Sequence, residues 1–450
     1  MAKSKQKFIC QNCEAVFYKW AGRCESCGEW NSLVEQTLPE VGRSAVARSI
    51  NNGKPLQANS LNSIPFEEGM KRLKTGIGDL DIILGGGILP GGVTLLAGQP
   101  GIGKSTLLLQ TVANIAHNYD VLYISGEESA GQVRLRAARL GADKSSNLNF
   151  AASTSADDIA ATIRTGKYQL VVVDSVQTLH LNEITSSPGS VSQITNSSNA
   201  IINAAKETGT SAIFVGHVTK EGSIAGPKIL EHLVDVVLQF EGDRYGGFKI
   251  VRAVKNRYGS TNEAAIFEMG EKGLRIVENP SAALLAERRD EDGSVVLATL
   301  EGARPLLVEI QALVNSTNFG YPKRTASGFD INRLNLLIAV LERRTKLKLS
   351  DKDIYINVVG GIKISDPAAD LAICMAIASA SAGRRLNYGT VVFGEVGLGG
   401  EVRSVTSIEK RIAEAKKLGF TKALAPRTSK DDFIIGVDNV RSTLIEYLQK

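Results

Sequence analysis

The chain has 450 residues, 43% of them apolar, and its 52 Lys and Arg against 47 Asp and Glu leave a net charge of +5. That length accommodates two or three domains with their own cores, and no uninterrupted apolar run approaches the ~20 residues that span a bilayer. The charge permits nucleic-acid binding without demonstrating it, and a basic start with no apolar stretch behind it speaks against secretion, so the expected compartment is the cytoplasm.

Four of the five cysteines, Cys10, Cys13, Cys24 and Cys27, fall within the first 27 residues as two Cys-x-x-Cys knuckles. Each knuckle can offer two thiolates from one turn to a tetrahedral Zn²⁺, and four soft ligands leave no open position for a catalytic water. A redox pair or a disulfide pair competes with this reading, and the doubled spacing favours metal. A ribbon of about 30 residues buries too little surface to fold alone, so metal binding must supply much of its folding energy. Phe17, Tyr18, Trp20 and Trp30 surround the knuckles and are expected to pack over the metal site, the other use being a stacking surface for bases or a protein partner. The ribbon occupies 1–35, and 36–68, rich in Ser, Asn, Pro and Gly without periodicity, reads as a linker.

The apolar run 93–97 leads into Gly98, Gln99, Pro100, Gly101, Ile102, Gly103, Lys104, Ser105 and Thr106, and a helix is predicted over 105–113. This is the phosphate loop G-x-x-x-x-G-K-[ST] in its strand-loop-helix setting. Glycines let successive N–H groups wrap a phosphate, and the helix N-terminus adds positive dipole. Lys104 is expected on the β- and γ-phosphates of ATP and Ser105 on Mg²⁺.

Beyond the loop, strands 121–125, 148–151 and 170–174 alternate with helices 132–140 and 156–164, which implies a parallel sheet with helices on its faces. Asp174 ends the most β-branched strand, where an aspartate holds Mg²⁺ through water. Ser125, Gly126, Glu127 and Glu128 end the strand after the phosphate-loop helix, at the edge where ligands of open α/β sheets bind. Glu127 is the first choice for positioning the attacking water and Glu128 the second; both could instead cap the following helix. Two polar stretches, 177–197 and 216–227, read as loops at that same edge. His217 is a candidate sensor of the γ-phosphate or a structural residue, and Lys220 and Lys228 are candidate contacts to a nucleic-acid backbone. Lys255 and Arg257 stand two apart on a strand, hence on one face. A second α/β unit follows, with strands at 294–299, 306–314, 354–359 and 391–394, one near Ala423, and helices at 333–344, 368–382 and 408–418. Its basic residues Arg343, Arg344, Lys346, Lys348, Arg384 and Arg385 suit DNA, or form ordinary solvated faces.

Taken together, the phosphate loop, the Ser-Gly-Glu-Glu strand end, Asp174 and the two loops resemble a RecA-type ATPase core similar to the motor of hexameric DnaB-type helicases. With the four-cysteine ribbon and the segment Lys255, Asn256, Arg257, Tyr258, Gly259, the whole chain resembles the bacterial RadA (Sms) family of recombination and repair proteins, in which that segment reads KNRFG; Tyr258 replaces its Phe and keeps the aromatic ring. The resemblance implies an α/β fold with a RecA-like P-loop ATPase domain over 69–280 and a Lon-protease-like domain over 281–450. It implies a DNA-dependent ATPase that processes branched recombination intermediates, by branch migration or helicase and translocase activity on single-stranded DNA, beside the RecA recombinase at the nucleoid and without a membrane. It also implies that Lys255 and Arg257 reach a neighbour's ATP as fingers in a ring, expected to be a hexamer. In Lon-type proteases a serine and a lysine form the catalytic dyad. Here Ala368 stands at the nucleophile position and Glu409, next to Lys410, at the lysine position, so peptidase activity is not expected.

Overall fold

The computed structural model describes residues 7–10, 15–17, 19–30, 32–36, 60, 71–217, 229–242, 247–317, 320–427 and 431–449. Cys13, Tyr18, Lys220, Lys228 and nearly all of 36–68 therefore lie outside the described residues. The chain forms two compact units, Met1–Glu68 and Gly69–Lys450.

The first unit holds a three-stranded antiparallel sheet of β1 (Lys7–Cys10), β2 (Val16–Phe17) and β3 (Leu33–Gln36), with β1 central and Cys10 opposite Leu33. Its small core is Cys10, Cys24 and Leu33 with Phe8 and Phe17 against it. The indoles of Trp20 and Trp30 are 62% and 69% exposed, so they do not cover this core as expected. Both instead flank Gly22, and Arg23 lies 5.7 Å over the Trp30 ring.

In the second unit a nine-stranded sheet has β4 (Val93–Gly98) near its middle, beside β8 (Ser211–His217) and β9 (Val236–Gly242). Outward from β8 follow β7 (Leu170–Asp174), β5 (Val121–Ser125) and β6 (Leu148–Ala152), and all six of these strands are parallel. The central ones read as near-continuous apolar runs because both their faces are buried, while the edge strand β6 is only partly buried. On the other side of β9 come β10 (Lys249–Asn256), β11 (Ala264–Gly270) and β12 (Gly273–Ile276), all antiparallel, which makes the sheet mixed where alternation alone predicted a parallel one.

The predicted loop 177–197 ends earlier than its composition suggested. A helix, Val191–Thr208, begins inside it, capped by Ser190 on the Gln193 N–H, and buries Ile194, Ser197, Ser198 and Ile201 against the helix Ala156–Arg164. Ser and Asn are weak helix formers, and tertiary packing of this one buried stripe overrides them.

A second, seven-stranded sheet is built around β13 (Ser294–Glu301) and β14 (Arg304–Ser316), with helices Ile331–Thr345, Ala369–Ala382 and Ile408–Lys417. Its apolar core runs on into the first sheet. Ile250, Ala264 and Ile266 belong to it, whereas Val251, Ala253, Ala265 and Phe267 on the opposite face belong to the core beneath the phosphate loop. Strands β10 and β11 thus serve both cores, through the period-2 alternation of side chains.

Candidate active site

The carboxyl ends of β4, β5, β7 and β8 converge on one edge of the sheet, because parallel pairing in register sets Gly98 beside His217 and Ser125 beside Asp174. Between β4 and the helix Lys104–Ile115 the backbone turns through Gly103, whose φ of 116° is open to glycine alone among common residues. The helix thus starts one residue before the sequence suggested, and Lys104 occupies its first turn.

Lys104 is buried, and its Nζ donates to the carbonyls of Gly98 at 2.8 Å and Gln99 at 2.9 Å, and to His217 Nδ1 at 3.2 Å. Burial lowers its pKa to about 8, with the charges of Asp174 and Glu127 working against that fall. Beneath it the Ser105 hydroxyl donates to Asp174 Oδ2 at 2.7 Å, and the buried Tyr123 hydroxyl donates to the same oxygen at 2.6 Å. Burial first, and the Asp174 charge second, push the Tyr123 phenol well above its ordinary value, so it remains a donor. A hydroxyl and a carboxylate in contact at the mouth of a phosphate loop are hard oxygen donors suited to Mg²⁺.

Glu127 and Glu128 diverge although they are adjacent. The Glu128 carboxylate receives both terminal nitrogens of Arg136, at 2.8 and 2.5 Å, and is occupied by the helix that follows it. Glu127 faces the phosphate loop, where its Oε1 accepts from the Ser175 hydroxyl and lies 3.4 Å from His217 Nε2. The hydrogen bond from His217 is the largest cause holding its carboxyl down to about 2, with Ser175 and the Lys104 charge assisting against burial. Gly126 makes this turn possible, since a Cβ there would stand 2.2 Å from Thr178 Oγ1.

Lys255 and Arg257 lie elsewhere. Strand β10 runs antiparallel to β9 and pairs Asn256 with Val236, next to the start of β4, so both cations sit toward the end of the sheet away from the phosphate loop: Lys255 is level with Leu95, three strand residues or about 10 Å from Gly98, and Arg257 with Val93, five residues or about 17 Å away. The bulge after Ala253 precedes both of them, and Arg257 follows the strand end. Lys255 Nζ donates to the carbonyls of Glu231 at 2.5 Å and Val234 at 2.7 Å, and Arg257 Nη1 lies 3.0 Å from Asp235 Oδ1.

In the C-terminal half Ala368 is fully buried at the start of its helix, and Glu409 and Lys410 are exposed. Nearby in sequence to both is an ion pair that the sequence did not announce: Arg411, fully buried, donates to Asp366 Oδ2 at 2.8 Å and to the Ala298 carbonyl at 2.7 Å. Arg343, Arg344, Lys346 and Lys348 are exposed, while Arg385 is engaged with Asp290 at 3.1 Å. Sequence reasoning also missed Tyr123, Ser175, Arg136 and Asp235, whose partners are all remote or of unremarkable local pattern.

In the ribbon, the Sγ atoms of Cys10, Cys24 and Cys27 all lie within 4.8 Å of one another, with Cys10 and Cys27 at 3.6 Å. Tetrahedral thiolates at about 2.3 Å from a zinc are about 3.8 Å apart, so the cluster fits such an ion.

Comparison with known proteins finds three family matches along the chain. Residues 69–223 match the AAA domain family, residues 334–429 the family described as subunit ChlI of Mg-chelatase, and residues 8–35 the rubredoxin metal binding domain. Over the full chain the similarity is to proteins named DNA repair protein RadA. The relative from Bacillus subtilis is 48% identical, covering 99% of both chains; that from Pseudomonas aeruginosa is 46% identical over 95% of this chain and 94% of its own. The relative from Aquifex aeolicus is 44% identical over 100% and 99%.

Proposed function

The chain belongs to the RadA family of DNA repair proteins, and from that membership and the geometry at the phosphate loop we propose that it hydrolyses ATP to drive movement on single-stranded or branched DNA during recombinational repair. The observation that carries this reading is the convergence of Lys104, Ser105, Asp174 and Glu127 on one sheet edge. Backbone N–H groups of 98–104 would cradle the phosphates, with Lys104 on the β- and γ-oxygens. Ser105 and Asp174 would hold Mg²⁺, which supplies neutralising charge to the triphosphate. Glu127, ionised at neutral pH, is a weak proton acceptor at a pKa of about 2 and so acts chiefly by orienting the attacking water.

Arg257 lies about 17 Å and Lys255 about 10 Å along the strands from their own phosphate loop, and both are engaged at the opposite end of the sheet, which supports their serving ATP hydrolysis at a neighbour's site. We assign them as fingers across a head-to-tail interface, and a head-to-tail contact that closes gives a ring, for which six subunits is the number we propose. The exposed basic residues at 343–348 offer a surface to DNA, and the RecA recombinase is the protein partner in this reading. Ala368, buried and without a nucleophile, supports a scaffold role and no peptidase activity. Among the described residues no helix is long and apolar enough to cross a membrane, and we place the protein in the bacterial cytoplasm, at the nucleoid during repair. The ribbon is assigned zinc on its thiolate set.

The deciding experiment measures ATP hydrolysis with and without single-stranded DNA alongside mass in solution. Stimulated turnover by a ring-sized particle is expected; a monomer with DNA-independent turnover would overturn the proposal.

A further inference from the structure

Asp235 is buried, and each of its carboxylate oxygens has a separate task. Oδ2 accepts the N–H of Val93, the first residue of β4, at 3.0 Å, and Oδ1 accepts Arg257 Nη1 at 3.0 Å. The backbone repeats both links: the Asp235 N–H donates to the Val93 carbonyl at 2.9 Å, and the Arg257 N–H donates to the Asp235 carbonyl at 3.1 Å. One residue therefore joins the root of the strand that carries the phosphate loop to a cation whose side chain is 51% exposed, against 3% for Asp235 itself. Lys206 Nζ, 3.9 Å from the same Oδ1, adds a second positive charge.

We propose that Asp235 is the positioning residue for Arg257, fixing the guanidinium for a neighbouring subunit's ATP and tying its placement to the strand β4 of its own subunit. The proposal rests on the finger reading above. A long, half-exposed arginine loses rotamer freedom when it is ordered; a buried, immobile carboxylate with paired backbone bonds orders it in advance, and misplacement of a reacting group by about 1 Å can cost about 100-fold in rate.

The test mixes full-length variants. Subunits with Arg257→Ala keep a working phosphate loop, and subunits with Lys104→Ala keep a working arginine, so mixing them should restore hydrolysis at the mixed interfaces. The Lys104→Ala subunit is then replaced by one carrying Lys104→Ala and Asp235→Asn. Asparagine still accepts the Val93 N–H but carries no charge for Arg257, and restored turnover should fall by about ten-fold or more with KM for ATP unchanged. Equal restoration with and without Asp235→Asn would overturn the Asp235 proposal and leave the finger reading standing. No restoration by Lys104→Ala alone would overturn the finger reading itself. Asp235→Glu keeps the charge and displaces the carboxylate, so its donor activity should be intermediate. If Asp235→Asn fails to reach native mass and melting temperature, Asp235→Glu decides alone, and full donor activity from it would overturn the proposal.

Discussion

Lys104 and His217 are hydrogen-bonded across the phosphate loop, Nζ to Nδ1 at 3.2 Å, while the other nitrogen of the same imidazole reaches Glu127. An ammonium only donates, so Nδ1 must accept and the ring proton sits on Nε2, aimed at the Glu127 carboxylate. One ring thus connects the phosphate-loop lysine with the carboxylate proposed to position water.

His217→Ala removes the largest cause of the depressed Glu127 pKa. A carboxyl held low is ionised, and contributes to stability, above its unfolded value of about 4.3, and loses that contribution as pH falls toward about 2. Without the imidazole its pKa rises toward the ordinary value, so the acid limb of the kcat profile should move toward neutral pH. An acid limb at the same pH in both proteins would show that His217 does not control Glu127.

Glu127→Gln should lower single-turnover hydrolysis by about 100-fold or more while leaving nucleotide binding in place. Glu128→Gln, which loses only the pair with Arg136, should retain most activity. Equal losses in the two variants would reverse the assignment.

Arg411 is fully buried and pairs with the partly buried Asp366, so removing the carboxylate leaves a buried guanidinium uncompensated, which costs about 3 kcal/mol or more. Burial alone would raise the Asp366 carboxyl, but the bond and charge of Arg411 outweigh it and hold the group low. Its contribution is present above the unfolded value of about 3.9 and is lost as pH falls through the lower folded value. Denaturant melts of Asp366→Asn should therefore show a deficit at pH 7 that shrinks on acidification. A deficit independent of pH would assign the loss to packing.

Removing metal should affect the ribbon alone. Chelation, or Cys24→Ser, should release about one zinc per chain, and the melting of Gly69–Lys450, a separate compact unit, should stay within about 1 °C. A large fall in the melting temperature of that unit would tie its stability to the ribbon.

What could be read from the sequence was local. The phosphate loop, Asp174 and Glu127 each follow a strand with an unmistakable pattern, and neighbouring parallel strands must bring their ends together. Asp235, Tyr123 and the Asp366–Arg411 pair were invisible because their partners lie 142, 51 and 45 positions away and no local periodicity marks them. The loop at 177–197 was overextended because serine and asparagine mask a helix that only tertiary burial justifies. Lys255 and Arg257 were recognisable as a pair, but the groups of segment 231–235 that engage them leave no trace in spacing.

Strands β10 and β11 give one face to the core under the nucleotide and the other to the C-terminal sheet. A fragment cut at residue 280 would bare Ile250, Ala264 and Ile266 to water and should self-associate, so the ATPase domain of this protein cannot be excised intact. For the same reason a tilt of these strands would be handed directly to the C-terminal sheet, since neither core can move without the other.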